Sequence, residues 1–304
     1  MNQSIHVESL AIFGSTSRGD ADQISDRDVL LAGMGQISLV ERELIGRGYS
    51  PSVYSWQQLE DLSRDGSLFL QHLRQESKIL LDRNGRLWDL LEKFRPLNNY
   101  SHRIVKNVEL FEMTNGTPQC DALIGWAFDV LAVGFRNHAI LQLANAGRYV
   151  FSYPALVAII SKAHNLSANE SQLLIDLRQR KREYRERCSA NNGTHEVLKR
   201  TQAVIERITG ADCSSRRFSI EDFVAHQVGF VSTNPHWYYP LRRLEGAFRA
   251  MGFTPELASS KVLAEMESVF SKPSPYGDAG MSSIEWVRTN VEAISLAWFK
   301  EARL

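Results

Sequence analysis

The sequence predicts an α+β protein, in which a small mixed sheet with helices is followed by an all-helical region. One observation is the stretch 10–31, where an apolar run, a Gly-Ser pair, a polar loop and a second apolar run follow in order. That order is typical of two strands joined by a turn and a loop. A second observation is the alternation of strand-like and helical segments up to residue 82. The third is that strand-like runs largely disappear beyond Pro96, where helical spacing takes over.

Hydrophobic periodicity predicts the remaining elements. In the first region it predicts helices over 37–47, 57–64 and 67–76, with strands over 49–56 and 78–82. In the second region it predicts a long central helix over 121–146, apolar nearly all round and ended by Gly147. Pro96 and the polar residues after it predict two domains, 1–95 and 96–304, with the helical domain closing an active-site cleft.

Two aspartates precede the second apolar run of the stretch 10–31. Side chains two residues apart on a strand share a face, so Asp26 and Asp28 are expected to project together. Like charges this close repel unless a cation lies between them, and Mg²⁺ prefers such oxygen ligands together with substrate phosphates. Upstream, Gly14 lets a ligand approach the backbone, Ser15 offers a hydroxyl and Arg18 a positive charge. Together these residue types indicate phosphoryl or nucleotidyl transfer.

Three motifs of this stretch resemble the signature of the DNA polymerase β-like nucleotidyltransferases: Gly14-Ser15, Arg18-Gly19 and Ser25-Asp26-Arg27-Asp28. The resemblance covers about residues 10–81 and implies a polymerase β-like core. It also implies transfer of NMP or dNMP from a nucleoside triphosphate, NTP or dNTP, to a hydroxyl, with Mg²⁺ or Mn²⁺ as cofactor. It makes Asp26 and Asp28 the expected catalytic metal ligands. The expected phosphate-binding residues are Gly14, Ser15 and Arg18.

The layout of a small core followed by helices is similar to stand-alone bacterial nucleotidyltransferases of anti-phage defence and toxin–antitoxin systems. The similarity to the Hailong type favours template-independent synthesis of an oligonucleotide. It makes a nucleic-acid acceptor, a second copy of the chain, and an effector or antitoxin protein the candidate partners. One alternative is a toxin that modifies tRNA or a partner protein. Another is a nucleotide-binding sensor without catalysis.

The predicted third strand departs from the superfamily pattern, because it carries no acid where a third carboxylate is expected. Three interpretations follow. An acid from elsewhere supplies the carboxylate, the candidates being Glu60, Glu76 and Asp82. Alternatively, the aspartate pair works alone with the metal bound largely through the triphosphate, or the domain binds nucleotide without turnover. Nearby, His72 is predicted to be a half-buried, hydrogen-bonded residue, with a role near the triphosphate as the alternative.

Three further features of the chain bear on the ligand and the acceptor. Arg136, in the predicted central helix, either pairs with Asp129 or faces the cleft and holds a nucleotide phosphate. Tyr100, on a polar stretch expected to be mobile, is a candidate hydroxyl for self-priming, with packing at the domain junction as the alternative. The basic segment 176–187 is predicted to be a solvated helix, or else a nucleic-acid contact supported by Tyr184.

Composition limits the remaining classes of function. The chain has 304 residues with 35 basic and 35 acidic side chains, so net charge gives no support for a general polyanion-coating role. Cys120, Cys188 and Cys213 fit neither a disulfide framework nor a zinc site. The N-terminal residues do not resemble a signal peptide, and no apolar run approaches the roughly 20 residues of a membrane span. The sequence therefore predicts a soluble, cytoplasmic protein.

Overall fold

A computed structural model describes residues 6–23, 25–34, 38–186, 194–230, 236–252, 259–271 and 279–301. The chain divides into two compact units. The first unit comprises Met1–Tyr100 and Leu143–Ala155, and the second comprises Ser101–Gln142 and Leu156–Leu304. The predicted domain boundary between residues 95 and 96 lies near the first crossing from one unit to the other, but the predicted division does not include the return of 143–155 to the first unit.

The first unit contains a four-stranded mixed sheet in the order β3-β2-β1-β4. Its strands are β1 (His6–Ile12), β2 (Asp28–Met34), β3 (Ser50–Tyr54) and β4 (Lys78–Asp82). Strand β1 is antiparallel to both of its neighbours, whereas β2 and β3 are parallel. The predicted small mixed sheet and the α+β class are therefore confirmed.

In the described part of the first unit, the sheet is accompanied by helices α1 (Gly14–Arg18), α2 (Ser38–Gly46), α3 (Trp56–Arg64), α4 (Leu68–Glu76) and α5 (Arg86–Lys93). Alternate residues of β2 pack to opposite sides, because Leu30 joins the core formed with α3, α4 and α5, whereas Leu31 packs with Leu44 of α2. The predicted helices thus form, although residue 37, the predicted start of one of them, lies outside the described residues.

The prediction of a polar loop directly after Gly14-Ser15 is wrong, because these residues begin helix α1. Gly19 ends the helix in the left-handed conformation, with φ at 80°, and donates its amide to the Ser15 carbonyl. A helix of five residues is too short to produce a hydrophobic period, so the sequence pattern carries no helical signal there.

The described part of the second unit contains helices and one isolated bridge, between Gly116 and Arg217, but no strand. Helix α7 begins in the second unit and ends in the first, whereas α8 begins in the first and ends in the second. The helices from α6 onward are α6 (Ser101–Glu112), α7 (Asp121–Asn145), α8 (Tyr153–Ala163), α9 (Ala168–Arg185), α10 (His195–Thr209), α11 (Ile220–Gly229), α12 (Tyr238–Met251), α13 (Ser260–Ser271) and α14 (Ala279–Glu301). Among the described residues, none of these helices combines the length and apolar composition that crossing a membrane requires.

A network of charged side chains lies inside the second unit. Asp129 is fully buried, accepts a 2.9 Å hydrogen bond from Arg185 Nε and lies 3.8 Å from Arg242 Nη1. Glu245 pairs with Arg242 and accepts a 2.7 Å hydrogen bond from the Tyr184 hydroxyl. Burial alone would raise the pKa of Asp129, but Arg185 and Arg242 outweigh it and hold that pKa below its usual value. Each buried charge is thus paired, as burial requires.

This network corrects two predictions. The pairing of Asp129 with Arg136 is wrong, because Asp129 pairs with Arg185 and Arg242. The basic segment is not simply a solvated helix, because the Tyr184 hydroxyl donates to Glu245 and Arg185 donates to buried Asp129. The alternative of a nucleic-acid contact stays a prediction. The predicted intrahelical pairing does occur on the exposed side, between Arg182 and Glu186 at 2.7 Å. Residue 187, the end of the segment, lies outside the described residues.

Candidate functional site

The end of strand β1 brings the backbone of Gly14 close to the start of strand β2. The Phe13 amide donates to the Asp28 carbonyl at 3.2 Å, and Gly14 follows with φ at +69°. A Cβ atom on Gly14 would lie 3.1 Å from Asp28 Oδ2 and 3.9 Å from His72 Cε1. Both the positive φ and the small space beside Asp28 favour glycine at this position.

Helix α1 carries the two other predicted phosphate-binding residues of the motif. Ser15 is half-buried, and among the described residues its hydroxyl makes no hydrogen bond. The Arg18 guanidinium donates through Nε to both Asp20 carboxylate oxygens at 3.2 Å, and its Nη1 pairs with Glu76. Two carboxylates therefore already engage Arg18, and a phosphate would have to compete with them.

Only one of the two predicted metal ligands lies in strand β2, because the strand begins at Asp28. Asp28 is half-buried, whereas Asp26 is exposed and its carbonyl accepts a long, 3.5 Å hydrogen bond from Thr16 Oγ1. Arg27, between the two aspartates, is anchored on Tyr49, with Nη2 2.7 Å from the Tyr49 hydroxyl and the guanidinium over its ring. The expectation that both aspartates project from one face of the strand is therefore wrong, because Asp26 precedes the strand.

The donor chemistry of Asp26 and Asp28 fits the cofactor that the resemblance implies, because Mg²⁺ prefers carboxylate oxygens. No group of three or more His, Cys, Asp or Glu side chains suited to a metal ion occurs in the described part of the chain. An aspartate pair that shares the metal with a triphosphate needs no third protein ligand, and this interpretation of the missing carboxylate stays a prediction.

Glu76 is the candidate third acid that contacts the motif residues. Its Oε2 pairs with Arg18 and lies 2.9 Å from His72 Nε2, and its side chain is only 9% exposed. Helix α4 places His72 and Glu76 one turn apart on the same face. Burial alone would raise the pKa of Glu76, but His72 and then Arg18 outweigh it and hold that pKa below its usual value. Glu76 is therefore a carboxylate that two neighbours stabilise in its charged form.

His72 lies between two aromatic rings beside Gly14. Its ring stacks on Phe151 with centroids 4.4 Å apart and meets the edge of Phe13 at 5.5 Å. The residue is buried rather than half-buried, and the predicted hydrogen bond is present, with Glu76. Its 3.9 Å approach to the Cβ position of Gly14 is compatible with the alternative role near a triphosphate.

The two other candidate acids have structural contacts. Asp82 accepts hydrogen bonds from Ser9 Oγ at 2.7 Å and from the amides of Leu87 and Trp88 at 3.1 and 2.9 Å. These bonds attach β1 and the start of α5 to the end of β4. Glu60 is exposed and pairs with Arg86 at 2.9 Å, which is a surface ion pair.

The expectation that Tyr100 lies on a mobile stretch is wrong. The side chain is fully buried, and its hydroxyl donates to the Gly66 carbonyl at 3.1 Å and accepts from the Leu97 amide at 3.0 Å. The Tyr100 amide donates to Asn145 Oδ1 at 2.7 Å. A hydroxyl held in this way has no access to a nucleotide, so the packing interpretation is the one that the structure supports.

Arg136 does not belong to the first unit. It is half-buried in the part of α7 that belongs to the second unit, and its predicted contact with a nucleotide phosphate stays a prediction.

The sequence did not predict the contact of Phe151 with His72, because Phe151 comes from the distant segment 143–155 and no local signal marks it. The spacing of His72 and Glu76, four residues apart in a predicted helix, was a signal that could have identified their pairing.

Comparisons of the chain with protein-family models, with curated proteins and with solved structures gave no match.

Proposed function

We propose that the first unit is the catalytic part of a polymerase β-like nucleotidyltransferase, which transfers NMP or dNMP from an NTP or dNTP to a hydroxyl. The observation that carries this proposal is the approach of Asp28 Oδ2 to within 3.1 Å of the Cβ position of Gly14. It brings a carboxylate of the Asp-x-Asp motif beside the glycine of the Gly-Ser motif, which is the juxtaposition that charge neutralisation at a triphosphate needs. The sequence resemblance supports the same class.

Each motif residue has a role in this proposal. Gly14 lets a phosphate approach the backbone, and the Ser15 hydroxyl donates to a phosphate oxygen. Asp26 and Asp28 would hold Mg²⁺ or Mn²⁺, and the bound ion would neutralise negative charge on the triphosphate. His72, Glu76 and Arg18 are positioning residues, because their contacts connect helix α4 to helix α1 and place the imidazole beside Gly14.

The transfer balances without any further reactant. The acceptor oxygen forms a bond to the α-phosphorus of the nucleotide, and the bond from that phosphorus to the oxygen bridging the α- and β-phosphates breaks. Pyrophosphate leaves, and the proton of the acceptor hydroxyl passes to solvent water. The acceptor is not Tyr100, whose hydroxyl is buried and bonded. Synthesis of an oligonucleotide in anti-phage defence stays a prediction from the resemblance.

The test uses the full chain, each labelled NTP and dNTP, and Mg²⁺ or Mn²⁺, with the products separated by electrophoresis and mass. We expect Asp26→Ala with Asp28→Ala to lower transfer at least about a thousandfold, because lost charge stabilisation of several kcal/mol raises the barrier accordingly. The control is Asp61→Ala with Asp89→Ala, which removes the same charge from two exposed ion pairs. Unchanged transfer in the first double variant, with the control also active, would reject the proposal.

Nucleotide binding without turnover is a second candidate, favoured because Glu76 is already paired with Arg18 and His72. The same experiment separates the two functions. Saturable binding of an NTP that depends on Asp26 and Asp28, with no product for any nucleotide, would identify a sensor instead of an enzyme.

A further inference from the structure

A cavity of about 530 Å³ lies within the second unit. Its lining comes from the loop after α6, the first half of α10 and the loop before α11, and all of it belongs to the second unit. The volume lies within the range of small-molecule sites. The cavity is therefore large enough for a ligand of nucleotide size.

Hydrogen bonds join the two loops that form its walls. Asn115 accepts from the Arg216 amide at 2.9 Å, which attaches the loop before α11 to the loop after α6. Buried Gln202, from α10, donates to the carbonyls of Thr114 at 3.1 Å and Cys213 at 2.9 Å, and thus holds both loops at once. The cavity is built by buried polar contacts rather than left between surface side chains.

Close packing fixes the bend in the first of these loops. Gly116 has φ at +76° and forms the isolated bridge with Arg217. A Cβ atom on Gly116 would lie 2.5 Å from the Phe218 ring, so any side chain there would force the wall apart. The backbone of the cavity is therefore organised in advance of a ligand.

Three basic side chains line the cavity. The side chains of Lys199, Arg216 and Arg217 are exposed, and within the described residues none of them makes an ion pair or a hydrogen bond. By contrast, Arg185 and Arg242 in the core of the same unit are paired with carboxylates. Three cations that form no ion pair within the described residues attract a compact polyanion, even though the Glu206 carboxylate accepts from Ser214 of the same wall.

Within the described residues, one buried polar atom of the lining, His195 Nε2, makes no hydrogen bond. Asp121 Oδ1 lies 3.7 Å from it, beyond hydrogen-bond distance. Pro118 and Phe218 add apolar surface to the same cavity. Cations, an unsatisfied imidazole nitrogen and an apolar wall together match a ligand that has both a phosphate and a flat, weakly polar part.

We propose that this cavity binds a nucleoside phosphate, with Lys199, Arg216 and Arg217 contacting the phosphate. The source of that group is either a free nucleotide or the 5′-phosphorylated end of a nucleic-acid strand. Inorganic phosphate alone is too small to fill a 530 Å³ cavity and contact its apolar wall, so we expect it to bind more weakly. The proposal stands on the second unit alone, so its failure would leave the proposed function of the first unit intact.

The test is photo-crosslinking of the full chain with 8-azido-AMP in EDTA, followed by peptide mapping, together with titration calorimetry. We expect label on peptides from 116–119, 195–202 or 213–218, the segments that line the cavity. Arg216→Glu with Arg217→Glu should lower affinity for AMP at least about tenfold, because two attractive charges become repulsive. Competition by a short oligonucleotide with and without a 5′-phosphate distinguishes a strand end from a free nucleotide.

The matched control is Lys162→Glu with Lys261→Glu, which makes the same charge change at exposed positions of the second unit outside the lining. We expect unchanged labelling and affinity in this control. Lys199→Gln, a single change of an exposed side chain, is the second variant, so the proposal stays testable should the double reversal prevent folding. Label confined to other segments, or equal affinity in the wild type, the double reversal and Lys199→Gln, would overturn the proposal.

Discussion

Replacing Glu76 by Gln tests the charged contact at the centre of the candidate site. The change keeps the size of the side chain but removes the charge that pairs with Arg18 and faces His72. A hydrogen bond to a charged group is worth about 1.5–3 kcal/mol, and an amide oxygen retains part of that, so we expect a loss of about 2 kcal/mol at neutral pH. Urea unfolding of the full chain, followed by circular dichroism, measures it.

The pH dependence of this loss has a definite sign. The pKa of Glu76 is held below its usual value in the folded chain, so the carboxylate contributes stability above the unfolded pKa of about 4.3. That contribution disappears as the pH falls through the folded pKa, where the wild type also carries a neutral side chain. The difference between the wild type and Glu76→Gln should therefore be largest near neutral pH and fade in acid.

Glu60→Gln is the matched control, because Glu60 forms an exposed pair and its loss should cost no more than about 0.5 kcal/mol. An equal loss in both variants, or a loss in Glu76→Gln that is the same in acid and at neutral pH, would refute the assigned coupling. The variant also reports on transfer. A fall in kcat greater than that of Glu60→Gln, at unchanged folding, is expected if Glu76 positions the site.

Three other changes have definite expected outcomes. Gly14→Ala should lower transfer at least about tenfold more than Gly19→Ala in a kinetic assay. Both positions have positive φ, so alanine costs about 1–2 kcal/mol of backbone strain at each, but only Gly14 faces Asp28. Tyr100→Phe should cost about 1 kcal/mol of unfolding free energy, and intact-mass spectra should show no nucleotide on this residue in the wild type. Asp129→Asn should destabilise the second unit by about 3–5 kcal/mol in urea unfolding, whereas exposed Asp121→Asn should not.

The local sequence pattern was sufficient to predict the strands from their runs of apolar residues. The apolar run of β2 forms a strand whose residues Val29 to Ala32 are buried, whereas the KILLD segment forms the edge strand β4, in which Leu80 and Leu81 are exposed. The local sequence pattern did not predict the position of a side chain whose partner lies far away in the chain. Arg185 lies in a charge-rich helix whose sequence predicts a solvated surface, but its guanidinium donates to Asp129, a buried residue of another helix.

The candidate site shows the same division. Gly14 follows β1 closely and Asp28 begins the neighbouring strand β2, so the sequence already predicts that they meet. The burial of Tyr100 depends on Gly66 and Asn145, and the position of the His72 ring depends on Phe151. These contacts join segments that are far apart in the chain, and no periodicity or propensity carries information about them.

The first unit is formed by two separate segments of the chain, which limits how it can be isolated as a fragment. The chain leaves this unit after Tyr100, returns for Leu143–Ala155 and leaves again, so three junctions separate the two units. A recombinant fragment that stops at residue 100 would lack Phe151, which stacks on His72, and Asn145, which accepts from the Tyr100 amide. A gene fusion that joins another protein at residue 100 would therefore carry the glycine turn and the aspartates but not the segment 143–155 that packs with them. The glycine turn and the segment 143–155 therefore belong to one packing unit, although they lie far apart in the chain.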